Sequence, residues 1–400
     1  MPRAFSVNTV LRQTPNRYLR HFFPAMPCGD LGVPWDELRE HDIGPMVTAL
    51  HALPRPAYDA VEAQLHDIFD LACATGTGAL IEALACYGHP APAEVLPQDV
   101  NAYGRAMWAW LYHREAFSFA SRVFQVEHFT WWRKRNDLPA REPDTTREGV
   151  GRLAGEISRI FVQAQGRGRC CTVEVFRRRE VVYFFAHPDD HVQSVAAHDE
   201  HGALVPRPFR RTFLVVYAYN RAEGSLELFA QGPGPLKGRL EVVFAKAVLG
   251  AALGPWNRRP TYELGHLLSP DFVLATDPAD GVRARIRRMR LHLKNSGRRV
   301  TLEADPDAGP EDIYRMMGEV LDQRRVPPPS VFVGMVTLTF EFDATEGRRG
   351  GSMTFDVAYP HSCGLRNHRP EHVEVALKYL RQWGIDGGGR PATTAAAVGP

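Results

Sequence analysis

Residues 281–299 read GVRARIRRMRLHLKNSGRR, and most of the architecture can be placed outward from this stretch. Eight cations, Arg283, Arg285, Arg287, Arg288, Arg290, Lys294, Arg298 and Arg299, fall in these nineteen residues without one Asp or Glu. The apolar residues Val282, Ala284 and Ile286 alternate with them, slip one place at Arg287-Arg288, and resume at Met289, Leu291 and Leu293. Period two belongs to a strand with one buried face, and a one-place slip belongs to a β-bulge. Asn295-Ser296-Gly297 supplies turn residues and returns the chain into Val300-Thr301-Leu302. The stretch therefore predicts a bulged strand and its hairpin partner, apolar on one face and cationic on the other. The whole chain carries a formal net charge of only +2, so this charge is segregated. Such a surface suits an anionic partner, foremost a phosphate backbone.

Downstream, Pro310–Arg324 reads as a helix, opened by Gly309-Pro310 with Glu311 and Asp312 in the first turn where the helix dipole favours acid. Val331–Phe342 and Ser352–Ala358 read as strands and Glu371–Trp383 as a final helix. Asp386–Pro400, rich in Gly, Ala and Thr, predicts disorder. Upstream, period two holds from Cys170. Thr172–Phe176 pairs with Val181–Phe185, and Thr212–Tyr219 with Ser225–Phe229 through an Asn220–Gly224 loop. Leu236–Leu249 is then a helix with Leu240, Phe244, Ala247 and Val248 inward. Four strands and one helix thus occur in each half of 170–360, which suggests a structural duplication without a residue-level repeat.

Before residue 165 the pattern is helical. Tyr58–Tyr87 keeps a helical period to an expected break at Gly76-Thr77-Gly78, and Val100–Trp132 repeats apolar residues at spacings of three and four. Asn136–Arg147 reads as a linker and Val150–Gln165 as an amphipathic helix. The expected fold is α+β: a helical N-terminal domain followed by antiparallel sheet units with flanking helices. Its divisions are a helical domain at 1–145, α+β domains at 146–268 and 269–385, and a disordered tail at 386–400.

Hydrophobic content of 44% and charged content of 24% are those of a soluble globular protein with material for real cores. The six cysteines form no CxxC pair or framework, which argues against structural zinc and disulfides. The N-terminus lacks a signal-like apolar core, and no apolar run approaches the roughly 18 residues of a membrane span. A cytoplasmic protein that does not enter a membrane is expected.

The sharpest chemical string is AHPDDH at Ala186–His191, after the apolar strand Val181–Phe185. These six residues resemble the AHPDDE zinc motif of the LmbE-like and PIG-L-like N-acetylglucosaminyl deacetylases. The resemblance implies His187 and Asp190 as metal ligands and Asp189 as general base. Read on the residues alone, the string is a strand ending in a Pro-Asp-Asp turn. A second basic cluster, Trp131-Trp132-Arg133-Lys134-Arg135, mixes aromatics with cations as single-stranded nucleic-acid grooves do, and Arg12, Arg17, Tyr18, Arg20 and Phe22 repeat the mixture. His361-Ser362-Cys363 sets a thiol near an imidazole. Walker A, GxGxxG, GxSxG and HExxH signatures do not occur.

The sequence therefore assigns no catalytic residue and no cofactor. Its leading expectation is a non-enzymatic nucleic-acid or polyanion-binding protein using the basic strand. The alternatives are a metal-dependent hydrolase at AHPDDH and a protein-interaction subunit of a larger complex.

Overall fold

The structure, a computed structural model, describes residues 4–89, 91–127, 129, 132–178, 180–199, 202–254, 260–294, 296–305, 312–321, 330–345, 348–365 and 368–387. It is an α+β fold with a helical N-terminal region and two antiparallel sheets. The chain divides into compact units at residues 1–128 and 129–400.

The first unit holds α1 (Val7–Gln13), α2 (Asn16–Phe22), α3 (Gly44–His51), α4 (Arg55–Leu71), α5 (Ala74–Cys86), α6 (Pro92–Val95), α7 (Ala102–Tyr112) and α8 (Arg114–Glu127). The stripe Val61, Leu65, Ile68 and Phe69 is buried on α4, and Met107 and Trp110 are buried on α7. The expected break at Gly76-Thr77-Gly78 falls instead at Ala72-Cys73, where α4 and α5 meet at 95°. Cys73 Sγ caps α5 by accepting from the Gly76 N–H at 3.2 Å, and a Cβ on Gly76 would stand 2.2 Å from the Leu71 carbonyl oxygen. Gly76 therefore lets the new helix start against the end of the old one. Among the described residues no single helix is long and apolar enough to cross a membrane.

The second unit opens with a strand inside the segment expected to be helical, β1 (Arg133–Arg135), followed by α9 (Arg147–Gln165). Thr146 caps α9, accepting from the Gly149 N–H at 3.2 Å, which starts the helix three residues before Val150. Next come β2 (Cys171–Arg178), β3 (Val181–His198), β4 (Leu204–Thr212), β5 (Val215–Asn220), β6 (Ser225–Phe229) and α10 (Gly234–Leu249). The first sheet runs β1-β6-β5-β3-β2, with β4 also on β3. α9 and α10 cover one face: Leu153, Ile157, Phe161, Leu240 and Phe244 join Phe184, Tyr217 and Leu228 in one core. Tyr183, Phe185 and Val216, pointing the other way, are buried too. Burial on both faces is why Val181–Ala186 is continuously apolar instead of alternating.

The remaining elements are β7 (Val282–Leu293), β8 (Arg299–Glu303), α11 (Asp312–Val320), β9 (Val331–Phe342), β10 (Gly351–Ala358), β11 (Ser362–Cys363) and α12 (Pro370–Gln382). The residues expected to start α11, Gly309 to Glu311, lie outside the described ones. The second sheet runs β11-β10-β9-β7-β8, and its inner face packs Ile286, Met289, Leu338 and Phe340 with Ile313, Tyr379 and Trp383. The expected duplication does not extend to topology. The first sheet takes β2, β3, β5 and β6 in chain order, whereas the second turns its first hairpin over and puts β8, not β7, at the edge.

The two sheets meet where the Lys134 N–H donates to the His361 carbonyl at 2.8 Å and Thr261 Oγ1 donates to the Lys134 carbonyl at 3.0 Å. Asp386, placed by its sequence in a disordered tail, is buried and bridges Tyr262; residues 388–400 lie outside the described ones.

Candidate anion-binding face

β7 is an interior strand. It pairs along its length with β9 and, from Arg288 to His292, with β8. Its arginines in that part therefore do not serve to guard a sheet edge. The ladder runs from Ile286↔Leu338 to Arg288↔Thr337, so Arg287 is an extra residue, the bulge at which the alternation slips. A second shift, between Arg290↔Met335 and Leu291↔Val333, leaves Gly334 extra on β9. A Cβ there would stand 2.4 Å from His292 Nε2, so glycine makes room for the imidazole. The bulge keeps Val282, Ile286, Met289 and Leu291 buried, while Arg283, Arg285, Arg288 and Arg290 share the outer face with Glu341, Thr339, Thr337 and Met335.

Acidic residues divide this face into two electrostatic regions. Glu341 lies 3.6 Å from Arg283 and 3.8 Å from Arg285, and Asp343 lies 3.8 Å from Arg283. Glu303 receives Arg288 through Nε at 3.1 Å and Nη2 at 2.9 Å, with Arg287 at 3.7 Å. The Arg288 guanidinium holds the Glu303 carboxyl below the usual carboxylate range. Asp280, a nearby acid that could have offset the strand, is instead held by Lys378 at 2.6 Å and by the Tyr379 hydroxyl.

The far end of the hairpin differs. Among the described residues no carboxylate pairs with Arg290, Arg298 or Arg299, and Lys294, Arg298 and Arg299 are exposed. His292 lies among them. Burial, and then the charges of Arg299 and Arg290, hold its imidazole below the ordinary value.

Beside the other half of β7, where β8 no longer pairs, runs a groove of about 550 Å³. Phe272, Val273, Leu274 and Tyr314 make its walls, with Arg283 and Glu341 contributing polar groups.

The other sequence candidates fall elsewhere. Trp132, Arg133 and Arg135 do not form an open groove: all three are buried, because β1 is an edge strand whose arginines turn in toward α10. Glu241, fully buried, lies 2.7 Å from Arg133 and 2.9 Å from Arg135, and Asp137 takes two further bonds from Arg135. Trp131 lies outside the described residues. Near the N-terminus, Arg17 pairs with Asp99 and Arg20 with Asp36, while Tyr18 and Phe22 are buried, so this segment docks on its own helical unit.

AHPDDH continues β3 and does not end it in a turn: β3 runs on to His198 and pairs with β4. Both strands flanking β3 at this point are antiparallel to it. His187 Nε2 is 3.6 Å from Glu174, Asp190 accepts from Arg167 at 2.7 Å, and the backbone of Asp189 bonds to Gly168 and Cys170. Among the described residues no three His, Cys, Asp or Glu side chains are grouped to hold a metal ion. The Cys363 thiol is pushed up to about 12 by burial, and His361 is held down at about 4 by burial and by Arg133 and Arg135. This is the reverse of an activated thiolate and its base.

No protein-family model matches the chain, and no curated protein matches it. Glu341 and Asp343, the acids that offset Arg283, were not anticipated. Their signal lay in Thr337, Thr339, Glu341 and Asp343, whose two-residue spacing marks the polar face of β9.

Proposed function

We propose that this protein is a non-enzymatic binder of polyanions, with a nucleic-acid phosphate backbone as the ligand class, and that Arg290, Arg298 and Arg299 make the contact. The observation that carries the reading is the contrast along β7 and its hairpin. Arginines 283, 285, 287 and 288 have carboxylates within 4 Å, while Arg290, Arg298 and Arg299 have none among the described residues. A side chain already facing a carboxylate gains little from a phosphate, whereas a solvent-accessible cation with no carboxylate beside it releases bound ions when it meets one. Guanidinium groups also suit phosphate through paired donors. The cations lie at the end of a sheet and belong to no base-reading element, so recognition would be led by the backbone and tolerant of sequence. The six free cysteines suit a reducing, cytoplasmic setting.

About three phosphate contacts give an expected slope of about −3 in log affinity against log salt for duplex DNA. Titrating labelled duplex and single-stranded DNA and RNA with the protein over a salt series tests the reading. Binding that weakens with this dependence supports it, and no binding at low salt removes it.

A further inference from the structure

β3 and β4 continue past the first sheet as a two-stranded ribbon, paired from Val192↔Arg210 to His198↔Leu204. Both faces meet solvent: Val192 is 49%, Val195 38%, Leu204 66% and Phe209 52% exposed. A two-stranded ribbon with neither face covered is marginal by itself in water.

The ribbon's two edges are not equivalent. Pro206 and Pro208 lie opposite Ala196 and Ser194. A proline has no N–H to donate, so these pairs must be the ones whose backbone groups point away from the partner strand. The outer edge of β4 consequently lacks two donors in succession, which bars another strand from it. By the same alternation, Ser194 and Ala196 direct their N–H and C=O groups to the opposite edge of β3. β2 has already ended there at Cys171↔Pro188, and among the described residues no strand follows it. The open edge, Val192-Gln193-Ser194-Val195-Ala196-Ala197, carries no charge, proline or glycine, the usual guards against pairing.

We propose that this edge of β3 pairs antiparallel with the same edge of a second copy, about a twofold axis at Ser194, to form a four-stranded sheet β4-β3-β3-β4. Three features select a second copy. The uncharged run is laid on itself, with Val192 opposite Ala196, Gln193 opposite Val195, and Ser194 opposite Ser194. Arg207 and Arg210 sit on the outer strands, about 14 Å apart across three strand spacings, beyond the Debye length at physiological salt. The twofold closes the assembly, because among the described residues the ribbon offers one open edge and the prolines block its other. Val195 moves from a half-open position to the interior of a four-stranded sheet.

The test is the mass of the full chain in solution at micromolar concentration, by sedimentation equilibrium. A dimer is expected for the natural sequence. Ser194→Pro removes the central donor of the new ladder but no donor to β4, and should weaken dimerisation by at least about tenfold. Pro208→Thr, on the blocked edge, should leave it unchanged. Ser194→Cys gives a second approach that does not depend on tolerance of a proline. A hydrogen-bonded antiparallel pair sets its Cα atoms about 5.5 Å apart, within disulfide reach, so mild oxidation should link two chains through residue 194. A natural chain that remains monomeric, a dimer indifferent to Ser194→Pro, or a Ser194→Cys variant that links no faster than the natural chain overturns the proposal.

Discussion

Arg288 holds Glu303 across β7 and β8 with two parallel hydrogen bonds, at 3.1 Å and 2.9 Å, and the bulge beside it brings Arg287 to 3.7 Å from the same carboxylate. One acid thus offsets the two consecutive arginines at which the strand pattern slips. Replacing Glu303 with Gln leaves both cations on the outer face without it. Affinity for a nucleic-acid duplex should rise, and the salt dependence should steepen by about one unit as one more phosphate is neutralised. Anisotropy titrations of the two proteins over the same salt range check this.

Arg135 shows the opposite use of a cation. It is 1% exposed, binds Asp137 through two nitrogens and reaches Glu241 at 2.9 Å. Arg135→Ala leaves Glu241, itself fully buried, with Arg133 alone. Removing one partner of a buried pair typically costs about 3–5 kcal/mol, and urea unfolding should show a loss of that order. Phosphate binding per folded molecule should not change, which separates this cluster from the candidate site.

His361 sets a pH dependence with a definite sign. Its folded value of about 4 lies below the ordinary value of about 6.5, so between them the unfolded chain carries a proton that the folded one does not. Stability from the neutral imidazole is present above pH 6.5 and is lost as pH falls toward 4. His361→Gln should flatten the unfolding free energy across this window. Depressed carboxylates such as Glu303 and Asp190 lose their contribution only at lower pH, as they are protonated below the usual carboxylate range.

Gly76 tests the corner between α4 and α5. A methyl group there meets the Leu71 carbonyl oxygen 2.2 Å away, beside the bond from the Gly76 N–H to Cys73 Sγ that caps α5. Gly76→Ala should destabilise the protein by about 1–3 kcal/mol, although alanine is the better helix former. Thermal or urea unfolding measures it, and a stabilised variant would contradict the geometry.

What could be read from the sequence follows from how local its causes are. The bulge at Arg287 was legible because the slip between Ile286 and Met289 depends on consecutive residues alone. β9 and β10 were legible from their alternation, and α10 from the spacing of Leu240, Phe244 and Val248. β4 was not: Pro206 and Pro208 argue against a strand until it is known to have one free edge. β1 was hidden because three charged residues do not resemble a strand; a distant acid, Glu241, permits the burial of Arg133 and Arg135. The candidate site was legible in its cations but not in its division. Glu341 and Asp343 meet Arg283 only through the register of β7 on β9, which is set by pairing across more than fifty residues.

The most direct test of the proposed function compares two variants on one duplex over one salt series. The first replaces Arg290, Arg298 and Arg299 with Ala, and the second replaces Arg283 and Arg285. The first should lose most of the affinity and reduce the salt slope by nearly three units, while the second stays close to the natural protein. Equal losses in both, or unchanged binding by the first, would contradict an interface confined to the uncompensated end of the hairpin.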